Sequence, residues 1–307
     1  MSAPKLTVHT WILICVLATI WGSSFLFARI AVLEVPPLTL VLIRVVLAAL
    51  TLNLILQFRN NRFVHTLAMW KNFAIMGLLN NVIPFALIFY GQLEIGAGLA
   101  AIINAMTPIW TVVIANFATI DEKMSTNKVL GIICGFAGVA ILIGSSALSG
   151  LSGSTIGQLA VLGGTISYGF SSVFGRRFTN VPPIESARGQ LTMSSFMVLP
   201  LALVFDQPWQ LPSPSLQTWL CIIALAVLCT ALAYLLFFQI LATAGAVNVS
   251  LVTFLVPPSA IILGMVVLGE SLELRHVIGM SVIMLGLIVM DGRLLKGFGK
   301  PETRSRD

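Results

Sequence analysis

The chain sets out one membrane plan twice, and each copy holds an odd number of apolar segments. Val35-Pro36-Pro37 returns as Val181-Pro182-Pro183, an offset of 146. Farther along, Phe85, Phe89, Gly96 and Pro108 fall opposite Tyr234, Phe238, Gly245 and Pro257 at a constant offset of 149. Asp121-Glu122 meets Glu270, and Gly131 and Gly138 meet Gly279 and Gly286. With five segments in each copy, the second must enter a bilayer from the opposite side. Inverted repeats of that kind place a solute site near the midplane, where the copies meet.

Composition points to the same environment. Charged residues make up 9% of the 307 and apolar residues 58%, with a mean hydropathy of +1.00. A soluble domain carries about 25% charged residues. The net charge of +6 sits in short loops beside apolar segments rather than on one solvated face, which excludes a nucleic-acid partner. Cys15, Cys134, Cys221 and Cys229 lie in apolar runs without metal-ligand spacing. They read as small buried residues, and no metal, cofactor or disulfide framework is expected. The first apolar run, from Trp11 to Leu33, exceeds a signal peptide's core and lacks a small-residue cleavage site. It reads as a retained span.

The predicted architecture is an all-α membrane protein of ten transmembrane helices, built as two inverted five-helix repeats. A crossing takes about 20 mostly apolar residues. The spans fall at 10–33, 37–58, 72–91, 96–119, 128–147, 156–175, 186–205, 216–241, 246–268 and 275–294. The first repeat is 10–147, the second 156–294, and 295–307 is a cytoplasmic tail; 145–155 is a flexible link. Lys5, Arg59, Arg62, Lys71, Lys123, Lys128, Arg176, Arg177, Arg188 and the tail cations fall on one side of this plan. The loops on the other side carry only Arg275. Basic loops stay inside, so both termini are cytoplasmic.

Polar and aromatic residues recur at matching depths. Trp21-Gly22-Ser23-Ser24-Phe25 in span one answers Ser167-Tyr168-Gly169-Phe170-Ser171-Ser172 in span six. Helix packing alone explains such residues in a lone span, whereas their recurrence points to a shared cavity. Span three carries Asn80-Asn81 ahead of Pro84 and Phe85. Consecutive amides point about 100° apart on a helix, so only one of them faces a given contact. Pro84 frees the carbonyl of Asn80, and either a stabilised kink or a wet cavity would supply the partners that buried polar groups need. Span eight adds Thr230 and Tyr234. Asn104, Thr107 and Pro108 in span four face Asn248, Ser250, Thr253, Phe254 and Pro257 in span nine. Prolines paired in this way are where a carrier bends.

The candidate solute-binding set is therefore Trp21, Ser24, Asn80, Asn81, Phe85, Asn104, Thr107, Tyr168, Ser171, Tyr234, Asn248 and Phe254, with Tyr90 as a further aromatic. Pro108 and Pro257 are the candidate hinges. Gly131, Gly135 and Gly138 in span five and Gly279 and Gly286 in span ten are packing stripes, which places those two spans against each other. Arg44 in span two either snorkels outward to the interface or meets a substrate carboxylate. Arg29 snorkels more easily, with Glu34 as a partner. Metalloprotease, nucleophile-elbow and paired mid-span aspartate patterns are absent, so the chain is not read as an enzyme. A channel would show a repeated filter or charged ring. No carboxylate or histidine lies mid-span, which argues against obligate proton coupling.

With Trp21-Gly22-Ser23-Ser24-Phe25, the two Val-Pro-Pro loops, Gly96-Ala97-Gly98 leading to Pro108, and Gly269-Glu270-Ser271 after span nine, the chain resembles the EamA family. The resemblance, to a branch of the drug/metabolite transporter superfamily, covers residues 10–294. Within it the chain looks most like bacterial amino-acid exporters of the YddG type. The resemblance implies ten helices, a central cavity and alternating access. The expected activity is export of aromatic or large neutral amino acids by a monomer in the bacterial inner membrane. Its small-molecule substrate and the lipid bilayer are then its partners. A broad drug or metabolite effluxer is the alternative.

Overall fold

The computed structural model describes residues 7–58, 66–120, 124–144 and 153–291. Among them the backbone is helical, with no strand. We number the long helices α1 Val8–Ala31, α2 Pro37–Phe58, α3 Leu67–Gly91, α4 Ala97–Ala118 and α5 Thr126–Ile143. They continue with α6 Gly153–Phe174, α7 Pro183–Asp206, α8 Leu216–Ala244, α9 Leu251–Leu268 and α10 Leu274–Asp291. Local sequence sets several starts. Thr7, Thr66, Ser125 and Ser215 each turn a side-chain oxygen onto the backbone N–H three residues on, the preferred N-cap arrangement. Gly269, with φ 65°, ends α9 in the left-handed region, where a Cβ would be strained.

Among the described residues, nine helices are long and apolar enough to cross a bilayer. The other long helix is α6, with 22 residues. Its polar residues explain the difference, and most of them point inward. Thr155, Gln158, Thr165, Ser167 and Ser171 are buried, while Ile156, Leu159 and Phe170 are exposed.

Helices pair closely where small residues let backbones approach. α5 and α10 form the tightest pair, with Gly131 and Gly138 opposite Gly286 and Gly279. The other closest neighbours are α1 with α9 and α8, α6 with α4 and α3, α2 with α7 and α8, α3 with α7, and α4 with α9. Exchanging the first five helices for the last five maps this set onto itself. Wide π turns interrupt α3 at Leu78–Val82 and α8 at Ala224–Leu232. The 149 offset carries the first into the second.

Several expectations need correction. The third helix begins at Leu67 rather than residue 72, because Thr66 caps it. The ninth is broken at Ser250, after a short turn at Ala246–Val249. Cys15 is exposed and Cys134 only partly covered, so only Cys221 and Cys229 are buried. The tail 295–307, the link residues 145–152 and Asp121-Glu122 lie outside the described residues.

One end of the bundle is tied by carboxylates, each from a segment that ends one helix and each placed at another helix's start. Asp206 accepts from the Thr39 N–H and hydroxyl in α2 at 2.7 and 3.0 Å. Glu270 accepts from the N–H groups of Ala97 and Gly98 in α4 at 2.7 and 3.0 Å. Glu34 accepts from the N–H and hydroxyl of Ser215, before α8, at 2.6 and 2.8 Å. The Glu94 side chain lies against Gly153 at the start of α6. Helix N-termini favour negative charge. The backbone and side-chain hydrogen bonds from Ser215 hold the Glu34 carboxyl below the usual carboxylate range. Its contribution is therefore present above that range and is lost as pH falls through the lowered value. Thermal stability in detergent should drop on acidification, and Glu34→Gln should reduce that drop; an unchanged pH profile would remove Glu34 from the tie.

Candidate functional site

A cavity of about 670 Å³ lies between the two halves of the bundle. It reaches Gly175, Phe178, Val181 and Pro183 where α6 meets α7, and Leu241 near the end of α8. At the other end it stops at Ala28, Arg44 and Gln92, beneath the carboxylate-tied face. Most of its wall is apolar or aromatic. Trp21 and Phe237 have ring centroids 5.6 Å apart, and Tyr234 and Phe238 stack at 6.1 Å. The polar groups are few and convergent, as in many small-molecule sites.

The two π turns place those polar groups. In α3 the wide turn carries Asn80 and Asn81; in α8 it carries Cys229 and Thr230. Single-turn π bulges often occur at functional positions. Asn80 joins four helices: its amide nitrogen donates to Gln190 Oε1 at 2.9 Å and to the Tyr234 hydroxyl at 3.1 Å. Its oxygen accepts from the Ser171 hydroxyl at 3.1 Å. Asn81 turns mainly toward α7: it is fully buried and donates to Ser194 Oγ at 3.1 Å. Its oxygen also accepts from the Tyr234 hydroxyl at 3.4 Å. Both amides thus meet Tyr234, against the expectation from α-helical spacing, because they sit in a π turn.

Arg44 turns into the bundle rather than outward. Its Nε donates to the Thr230 hydroxyl at 3.0 Å, and its guanidinium lies 3.8 Å from the centroid of the Phe85 ring. Snorkelling is overturned because these partners on α8 and α3 hold the group inside. Arg29 also departs from expectation: it donates to the carbonyls of Gln92 and Leu93, while Glu34 is taken by Ser215. Gln92 Nε2 donates to the Phe25 carbonyl at 2.8 Å. Gln92 Oε1 and Asn104 Oδ1 are buried on the cavity wall with no hydrogen-bond partner among the described residues.

Of the candidate residues, Trp21, Ser24, Asn80, Phe85, Asn104, Thr107, Tyr168, Ser171 and Tyr234 line this cavity, as does Pro257. Asn81, Asn248 and Phe254 lie outside its lining. Asn248 is buried and donates to the Ala244 carbonyl at 2.9 Å. Tyr90 is 60% exposed on the outside of α3, which corrects its place among the lining aromatics. α4 is interrupted at Ala105-Met106, just ahead of Pro108, whereas α9 passes through Pro257 and Pro258 without a break. Gln92, Gln190 and Phe237 also line the cavity and were missed from sequence. The signal for Gln190 was present: at the 146 offset it is the counterpart of Arg44.

The EamA-like transporter family matches twice, at residues 9–144 and 155–290. The chain belongs to the EamA-like transporter family. It is similar to the uncharacterized transporter YvbV of Bacillus subtilis (strain 168), with 28% identity over 290 residues and 92% of each chain covered. It is 25% identical to the uncharacterized transporter YoaV of the same organism, over 88% of this chain and 92% of that one. The uncharacterized inner membrane transporter YedA of Escherichia coli (strain K12) is 26% identical, over 88% and 87%. One crystal structure superposes with a TM-score of 0.65 at 19% identity, covering 94% of this chain and 98% of the other. That likeness speaks to the fold. Family membership makes this a multi-pass membrane protein with a transport role rather than a catalytic one.

Proposed function

We propose that this EamA protein is a facilitative exporter of amino acids with aromatic or large neutral side chains, akin to the YddG type. All ten long helices then cross the bacterial inner membrane as two inverted repeats, with both termini cytoplasmic, and the carrier works as a monomer. The observation that carries this reading is the cavity wall. Aromatic rings fit an apolar side chain, and convergent amides and hydroxyls fit a polar backbone end. Among the described lining residues there is no Asp, Glu or His. The double family match and the exchange symmetry of helix neighbours support the repeat. In this orientation the cavity mouth faces the cytoplasm, the tied face is outside, and bending near Pro108 and Pro257 exchanges the two.

The test is reconstitution into liposomes with a panel of radiolabelled amino acids, sugars and cationic dyes. Counterflow of large neutral amino acids is the expected result. Movement of dyes alone would favour a broad drug effluxer, and movement of none would sink the reading. Without a carboxylate or histidine among the described lining residues, a proton gradient has no relay through which to act. Imposing a pH gradient should speed no net uptake beyond the substrate's own equilibrium. Accumulation above equilibrium would overturn the facilitative mechanism.

A further inference from the structure

A buried cation at the blind end of the cavity has no counter-ion among the described residues. Arg44 is 7% exposed and stands about 10 Å along α2 from its first residue, at ~1.5 Å per residue. Its two kinds of partner, the Thr230 hydroxyl and the Phe85 ring, are both neutral. Among the described residues, no hydrogen-bond acceptor takes the N–H groups of its two Nη atoms, and no carboxylate pairs with it. An uncompensated charge inside a membrane is costly, and an aromatic face recovers only part of that cost.

The second copy supplies an internal comparison. The offset of 146 that relates the Val-Pro-Pro loops carries Arg44 onto Gln190. Gln190 also lines the cavity and also sits against a π turn of the neighbouring helix, where its Oε1 accepts from Asn80 at 2.9 Å. A neutral amide therefore satisfies this architectural position. The charge in the first copy does nothing that packing requires. It faces a space that also holds the unused acceptors Gln92 Oε1 and Asn104 Oδ1.

We propose that Arg44 is the anion subsite of the cavity, taking the single carboxylate of the transported solute on its free Nη donors. Guanidinium and carboxylate match in plane and in donor spacing. The inference rests on the carrier reading above and deepens it: the solute bears one carboxylate, with N–H donors near it for Asn104 and Gln92. One guanidinium balances one negative charge, so dianions are under-matched and cations are repelled.

Wild type, Arg44→Gln (the residue the second copy uses) and Arg44→Lys are reconstituted, and exchange is measured for phenylalanine, phenylalaninamide and phenyllactate. Arg44→Gln should lose about 10- to 100-fold on the two carboxylates, the range for a charge-assisted hydrogen bond. It should lose nothing on the amide, a cation that the guanidinium repels, and Arg44→Lys should retain part of the carboxylate rate. Equal losses on acid and amide, or no loss, would overturn the subsite. If wild type moves phenyllactate but not phenylalanine, and Arg44→Gln stops it, the amino-acid reading fails while the subsite stands. A second measurement needs neither a variant nor transport. Phenylglyoxal modification of Arg44 in the wild-type protein, mapped by mass spectrometry, should slow in phenylalanine or phenylacetate and not in phenylalaninamide. Slowing by a carboxylate alone supports the subsite even where no exchange occurs; identical rates in all of them overturn it.

Discussion

Valine at Gly138 together with valine at Gly286 is expected to prevent recovery of monodisperse protein from detergent. A Cβ built on Gly138 would lie 2.6 Å from Ile283 Cγ1 and 2.8 Å from the Gly279 carbonyl oxygen. One on Gly286 would lie 2.7 Å from the Gly131 carbonyl oxygen and 2.9 Å from Cys134 Cβ. Two of these neighbours are backbone atoms of the partner helix, which cannot rotate away as a side-chain tip can. α5 and α10 must therefore separate along much of their length. In lipid, van der Waals contact is the main force joining helices, so separation removes what holds this pair. Even alanine should cost about 1–3 kcal/mol at either position, the usual price of overpacking, despite a helix propensity about 1 kcal/mol better than glycine. Gly163→Ala in α6 is the control, because its Cβ would meet only a Leu87 methyl at 3.3 Å. That variant should match or slightly exceed wild type in thermal stability. Equal behaviour of Gly138→Ala and Gly163→Ala would show that α5 and α10 do not depend on this contact.

Much of this interface was legible in the sequence because a small-residue stripe has one physical use in a span, and both stripes sat at the same place in their copies. The long apolar segments were legible for a similar reason: crossing demands length and hydropathy, which are additive along the chain. Directions of individual side chains were not. Arg44 has enough stem to snorkel or to turn inward, and Thr230, 186 residues away, decides between them. Glu34 was assigned to Arg29 by proximity in the chain, yet it bonds Ser215, the cap residue 181 positions later, just before α8. Tyr90 and Phe85 are five positions apart in α3, and only the neighbours of that helix separate an exposed ring from one on the cavity wall. The π turns were half visible. Pro84 announced a disturbed backbone near Asn80, but α8 contains no proline to mark its own wide turn.

The adjacent amides of α3 should give opposite phenotypes, which is the sharpest test of where cavity ends and scaffold begins. Removing Asn80 as alanine leaves Gln190, Tyr234 and Ser171 without it, yet all three line the cavity. Water can take the vacated hydrogen bonds at small cost, so thermal stability should stay near that of wild type. Exchange per folded molecule should fall by about tenfold or more, since one neutral hydrogen bond and the alignment of its neighbours are worth about 1.5 kcal/mol. Asn81 has no such replacement. Its side chain is fully buried; Ser194, its acceptor at 3.1 Å, is buried with it, and its other partner, the Tyr234 hydroxyl at 3.4 Å, is shared with Asn80. Asn81→Ala opens a void between α3 and α7 and should cost about 1–3 kcal/mol of stability, with the folded fraction still active. Thermal shift and proteoliposome exchange on the two variants separate the roles. A stable but inactive Asn81→Ala, beside an unstable but active Asn80→Ala, would reverse the assignment and put the solute on the other side of α3.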